Sequence, residues 1–134
     1  MKIIVTGSRK LTDRKLVALG IQKCIDAVRE PKGLELIELV HGCANGADML
    51  ADSIIREVCP KLQIEYCIHP FKADWKQYNN AAGPIRNELM VDAHKDAHIG
   101  LAFWNGDTIK SGTFHCMNEM RKRNIHCIVI WINK

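Results

Sequence analysis

Glycine, hydroxyl and guanidinium groups fall together in Gly7-Ser8-Arg9, directly after the apolar run Ile3-Ile4-Val5. Glycine permits a sharp turn, a serine hydroxyl and neighbouring amides can donate to an oxyanion, and arginine adds a charge-assisted or bidentate contact. A second loop, His41-Gly42-Cys43-Ala44-Asn45-Gly46-Ala47-Asp48, sets two glycines among small residues ahead of a helical stretch. There a ligand is expected to approach backbone amides at a helix amino terminus. Asp48 falls in the first helical turn, where a carboxylate stabilises the dipole or hydrogen-bonds sugar hydroxyls or a neighbouring loop. A structural or ribose-contact role is preferred over catalysis. The third loop runs from Trp104 through Gly106 to Ser111-Gly112-Thr113, whose amides and hydroxyls form a second phosphate cradle. Finally, Gly83-Pro84-Ile85-Arg86-Asn87 opens a helix, so that Arg86 and Asn87 project from its first turn toward the same edge. Trp104 and Trp75 offer faces on which a base can stack, or they serve as rim packing.

The elements that must position these residues follow from the hydrophobic pattern. Strand-like runs at 3–6, 36–41, 63–69, 98–104 and 126–132 alternate with helical stretches, which predicts an α/β fold with a parallel sheet covered on both faces. The first helix is expected from Thr12 or Asp13 to Arg29, with Val17, Ile21, Cys24, Ile25 and Val28 at helical spacing, and Pro31 and Gly33 stopping it. The second begins near Ala47 and is broken by Pro60. The third starts at Gly83-Pro84 with Ile85, Leu89 and Ala93 as its apolar stripe, and the fourth carries Cys116, Met117 and Met120 as core residues. A Rossmann-like, doubly wound order 3-2-1-4-5 would put strands one and four side by side with their connections on opposite faces, opening a crevice between the loops after them.

At 134 residues the chain is expected to form a single domain over its whole length, 1–134, and its 47% hydrophobic and 25% charged content is ordinary for a soluble globular protein. The formal charge is only +4, and the one basic run, Arg121-Lys122-Arg123, reads as the last turn of a helix beside its negative dipole end. Nucleic acid is therefore a disfavoured partner. The amino terminus enters a strand directly, leaving no room for a signal segment, so a cytoplasmic location and no membrane association are expected. Six cysteines stand singly, without zinc or redox spacing, and read as reduced thiols. Cys24, Cys67, Cys116 and Cys127 fall in apolar runs, whereas Cys43 lies in a site loop but has no base nearby in sequence except His41.

Along nearly its whole length the chain resembles the SLOG superfamily, the Rossmann-like group containing the LOG phosphoribohydrolases and DprA-type proteins, and within it the compact YspA-like branch. The matching pieces are Gly7-Ser8-Arg9, His41 to Asp48 followed by Met49-Leu50-Ala51, Ala73-Asp74-Trp75, Gly83 to Asn87 with Met90, and Phe103 to Gly106 with Ser111-Gly112-Thr113. The resemblance implies a nucleotide or nucleotide-derived ligand, an ADP-ribose-like molecule or a nucleoside monophosphate, bound across the loops after strands one and four. LOG enzymes cleave the N-glycosidic bond with an arginine, matched by Arg86, and a glutamate one turn into the helix after the glycine-threonine loop. At that glutamate's position this chain has Cys116. Glu119, three residues on, and Glu88, beside the Arg86-Asn87 pair, are the replacement carboxylates to consider. The loop before Ser111 also runs about two residues longer than this branch's Trp-x-Gly-x-Ser-x-Gly-Thr pattern.

The expected function is thus binding of a nucleotide-derived small molecule by a sensor or sequestering module, with Gly7, Ser8, Arg9, Gly112 and Thr113 at phosphate and Asp48, Arg86 and Asn87 at the ribose end. The alternative is a phosphoribohydrolase-type enzyme using Arg86 with Glu119 or Glu88. A third reading is a DprA-like binder of single-stranded nucleic acid, against which the modest charge and the lack of an aromatic platform count. No cofactor is required, although a phosphate ligand can bring magnesium with it. Trp131 and Ile132 on the last strand hint at an exposed edge and a homo-oligomer.

Overall fold

The computed structural model describes residues 1–29 and 33–133. The strands are β1 (Lys2–Gly7), β2 (Leu36–His41), β3 (Glu65–Pro70), β4 (Ile99–Trp104) and β5 (Cys127–Trp131). They form one sheet in the order β3-β2-β1-β4-β5, and every neighbouring pair is parallel. The fold is α/β and Rossmann-like, with the expected reversal of order beside β1.

Alternation along β1 explains why both faces need cover. Ile3 and Val5 point into a core with α1 (Arg14–Val28) and α2 (Ala47–Lys61), through Val17, Ile21, Ala51 and Ile55. Ile4, one residue out of phase, joins Val40 in a second core with Met90 and Val91 of α4 (Ala82–Ala93) and Cys116 and Met120 of α5 (Gly112–Lys122). Two helices therefore cover each face. None of the described helices is long and apolar enough to cross a membrane.

Asp13 caps α1 by accepting from the Leu16 amide at 3.1 Å, and the helix ends at Arg29 in a left-handed conformation, φ 49°. Pro31, the expected stop, lies outside the described residues. Pro60 does not break α2, which runs on to Lys61. In the last turn its ring meets a helix that is already ending.

The third helix differs more. It begins at Ala82 and is preceded by a short helix, α3 (Trp75–Tyr78), and a 3-10 turn at Asn79–Ala81. The expected stripe of Ile85, Leu89 and Ala93 is not its inner face: Leu89 is 60% exposed, while Ala82, Gly83, Asn87, Met90 and Val91 are buried. The polar Asn87 occupies an inward position because it has partners there. Cys67 is likewise exposed, since it lies on the edge strand β3; Cys24 and Cys116 are buried as expected, and Cys127 is half-buried.

Candidate functional site

The loops after β1 and β4 face each other across a cleft of about 370 Å³ at the point where the strand order reverses. Residues 6–9 form one wall; residues 103–105, Asp107 and residues 110–113 form the other. Gly42, Ala44 and Asp48 enter from α2 and its loop, and Arg86 and Asn87 from α4. The cleft thus gathers the expected Gly7, Ser8, Arg9, Gly42, Asp48, Arg86, Asn87, Trp104, Ser111, Gly112 and Thr113. It also includes Lys110, a cation that sequence reasoning passed over, although its place just before Ser-Gly-Thr was the available signal.

After β1 the backbone is already committed. The Ser8 amide donates to Phe103 O at 3.2 Å, which ties the two walls together, and Ser8 O accepts from the amides of Leu11 and Ala47. The Ser8 amide is thus spent inside the protein. The hydroxyl accepts from the Lys10 amide at 3.2 Å, which leaves its own proton available to donate. Arg9 has no carboxylate partner among the described residues; its guanidinium lies 5.5 Å from the centre of the Trp75 ring. A cation–π contact at such an exposed site contributes about 0.5–1 kcal/mol.

In the loop between β2 and α2 the first amides turn inward. The amides of Gly42 and Ala44 both donate to Asp48 Oδ2, at 3.0 and 3.2 Å, and the Cys43 amide donates to His41 Nδ1 at 3.0 Å. Three consecutive donors are thus satisfied inside the protein. Because His41 Nδ1 accepts, its proton sits on Nε2, which faces Asp52 Oδ2 at 2.7 Å. His41 is therefore occupied and is no base for Cys43, whose thiol is pushed up by burial and by Asp48. Although burial pushes the Asp52 carboxyl up, the hydrogen bonds from Arg56 and His41 outweigh it and hold the group below its ordinary value. Gly46 lies outside the lining but shapes the loop. Its φ of +81° is a glycine conformation, and a Cβ there would collide with the backbone of Ser8 and Arg9.

Asp48 itself is 5% exposed, and its Oδ1 has no hydrogen-bond partner among the described residues. Burial raises its carboxyl above the usual range, with the Ala44 amide, His41, Arg86 and the Gly42 amide pulling the other way. An orphaned oxygen in a cleft wall is a costly feature unless something meets it there.

On α4, Arg86 is fixed by three groups. Its Nε donates to Asn87 Oδ1 at 2.8 Å, while Nη1 donates to Gly42 O and reaches Phe71 O at 3.5 Å. Nη2 has no partner among the described residues, so the locked guanidinium presents one edge to the cleft. Asn87, at the cleft wall, also acts as a clasp: its Nδ2 donates to Gly112 O at 3.1 Å and joins the start of α4 to the start of α5. At α5, Ser111 Oγ caps the helix by accepting from the Phe114 amide at 3.1 Å. That leaves the Gly112 and Thr113 amides as the first-turn donors toward the cleft.

The carboxylates expected to replace the missing glutamate stand elsewhere. Glu119 is buried away from the cleft, with Arg123 Nη1 at 2.7 Å and Lys122 Nζ at 3.1 Å. Burial works against its charge, yet those two cations hold its carboxyl below the ordinary value. Glu88 is exposed and outside the lining. Cys116 is fully buried beside Thr6, and burial pushes its thiol up to about 12. Trp104 donates from Nε1 to Asp107 O at 2.7 Å and stacks on Phe114 with ring centres 5.4 Å apart. Gly106, at φ +87°, turns against Trp131 outside the lining.

A parallel sheet reversing at β1, with a polar cleft at the reversal, defines a Rossmann-like α/β protein with a cleft at its switch point. No family model matches the chain. It is 36% identical over 129 residues to the Gene 61 protein of Mycobacterium phage D29, an alignment covering 95% of this chain and 94% of the phage protein. The chain belongs to the family of that phage protein. It is also 23% identical over 133 residues to a trehalose-phosphatase of Caenorhabditis elegans, spanning 98% of this chain but 29% of the worm protein.

Proposed function

We propose that the protein binds a nucleotide or nucleotide-derived ligand, acting as a sensor or sequestering module. The observation that carries this reading is the convergence, in one cleft, of the open first turn of α5 with the Ser8 hydroxyl, Arg9, Lys110 and the locked guanidinium of Arg86. Amides at a helix start and several cations favour a phosphate. The unpaired Asp48 Oδ1 supplies what a phosphate site alone does not need, an acceptor for a sugar hydroxyl. The sequence resemblance to SLOG domains points the same way. Among the described residues no group of three or more His, Cys, Asp or Glu side chains is arranged to hold a metal ion. On this reading magnesium would arrive with the ligand's phosphates.

Asp48 also favours a second reading, hydrolysis of the N-glycosidic bond. Such cleavage passes through an oxocarbenium-like state that a carboxylate stabilises. With Glu119 bound to Arg123 and Lys122, Asp48 is the buried carboxyl group in the cleft wall, and Arg86 is its cationic neighbour. Phosphorus NMR of AMP, ADP-ribose and NAD with the protein separates the two readings. Line shifts without products are expected for a binding module. A growing ribose-phosphate resonance, lost in Arg86→Ala, would make it a hydrolase, and unchanged spectra for all three compounds would count against both.

A further inference from the structure

The cleft does not end at Arg9 and Arg86. A second compartment of about 350 Å³ shares both arginines, Gly42 and Ala44 with the first, and continues to Cys43, Lys72 and Trp75. Its charge differs from that of the first. Arg9, Lys72 and Arg86 line it and no carboxylate does, whereas Asp48 and Asp107 belong to the first compartment. Trp75 is 48% exposed although its residue opens α3, so a large apolar ring is left facing a cationic hollow. Each compartment alone lies near the small end of the about 300–1,000 Å³ typical of ligand sites.

We propose that this compartment is a second subsite of the same cleft and that the ligand is a dinucleotide, two nucleosides joined through phosphates. One base stacks on Trp75, and the linking phosphates lie between Arg9 and Arg86, the residues common to both compartments. Nucleobases stack on aromatic rings and on guanidinium planes alike, and a stack tolerates any base. Arg9 covers the Trp75 ring in the absence of an ion pair among the described residues. A phosphate competes for that guanidinium, and moving it uncovers a ring face for the base. Lys72 adds positive charge on the far side without a carboxylate in the lining to cancel it.

This inference rests on the nucleotide-binding reading above, and one calorimetric series separates the two. AMP, ADP and diadenosine diphosphate are titrated into the wild type, Trp75→Ala and Trp75→Phe. Diadenosine diphosphate is expected to bind about tenfold or more tightly than ADP, the gain from one additional stacked base. Trp75→Ala should erase that gain, so that the two compounds bind alike, and Trp75→Phe should restore most of it. Equal affinity for the two compounds, or equal losses for both in Trp75→Ala, would overturn the second subsite while leaving nucleotide binding intact. If none of the three binds, both readings fall.

Discussion

Arg86 is seated on the backbone of Gly42: its Nη1 donates to the Gly42 carbonyl, and a Cβ at position 42 would lie 2.5 Å from that nitrogen. The absence of a side chain on one loop is what lets a cation from another helix enter the cleft. Gly42→Ala should push the guanidinium off its seat and weaken nucleotide binding about tenfold, the size expected for losing one oriented charged contact. Calorimetry checks the affinity, and circular dichroism should show an intact fold. A variant that binds as tightly as the wild type would show that the seat does not matter.

Gly46→Ala acts on the fold first. With φ at +81° and the Ser8 and Arg9 backbone in the way, the added methyl cannot be relieved by a side-chain rotation. A loss of about 2 kcal/mol or more in urea unfolding is expected. Gly33, also at positive φ but where a Cβ meets nothing within 4 Å, is the control and should lose less.

Asp48 gives the protein an unusual pH response. Its folded value is raised from 3.8, so between those values the native state holds a proton that the unfolded chain has released. Stability from this group is present in acid and declines as pH rises through the raised value. Asp48→Asn keeps the shape and an acceptor for the Gly42 and Ala44 amides, and should gain on the wild type in melting temperature as pH rises. On the proposed reading the same variant replaces an acceptor for the sugar by a donor, so any preference for AMP over deoxy-AMP should shrink.

Glu119 should behave with the opposite sign. Its carboxyl is held below the ordinary 4.5, so its contribution is present above that value and is lost as pH falls through the lowered one. Glu119→Gln is expected to cost about 1–3 kcal/mol at neutral pH, because Arg123 and Lys122 lose their partner. The deficit should narrow in acid. Nucleotide affinity should not change, and a variant with lost affinity would return Glu119 to the site.

The order of the strands was legible because each buried strand is an apolar run too short for a helix, bounded by turn residues. The meeting of Ser8, Arg9, Arg86 and the Ser111-Gly112-Thr113 loop then followed from that order. What escaped the sequence was the destination of hydrogen bonds. Nothing in Gly42-Cys43-Ala44 reveals that His41 and Asp48 fold back to take its amides, and nothing in the spacing of Glu119 shows that Arg123, one turn later, will claim it. The inner face of α4 was misassigned for a related reason. Asn87 turns inward to bridge Arg86 and Gly112, and rotating it there carries Leu89 out to solvent.

The pairing of Ile3 with Ile99 sets a timetable for the newborn chain. Ile3 leaves the ribosome well ahead of its neighbour on one side, which follows 96 residues later. At synthesis rates of about 5–20 residues per second, that seam stays open for several seconds while β1 can pair only with β2. The cleft lies along that late seam, its walls contributed by the loops on either side. The cleft is therefore completed late, and no fragment ending before α5 has both of its walls.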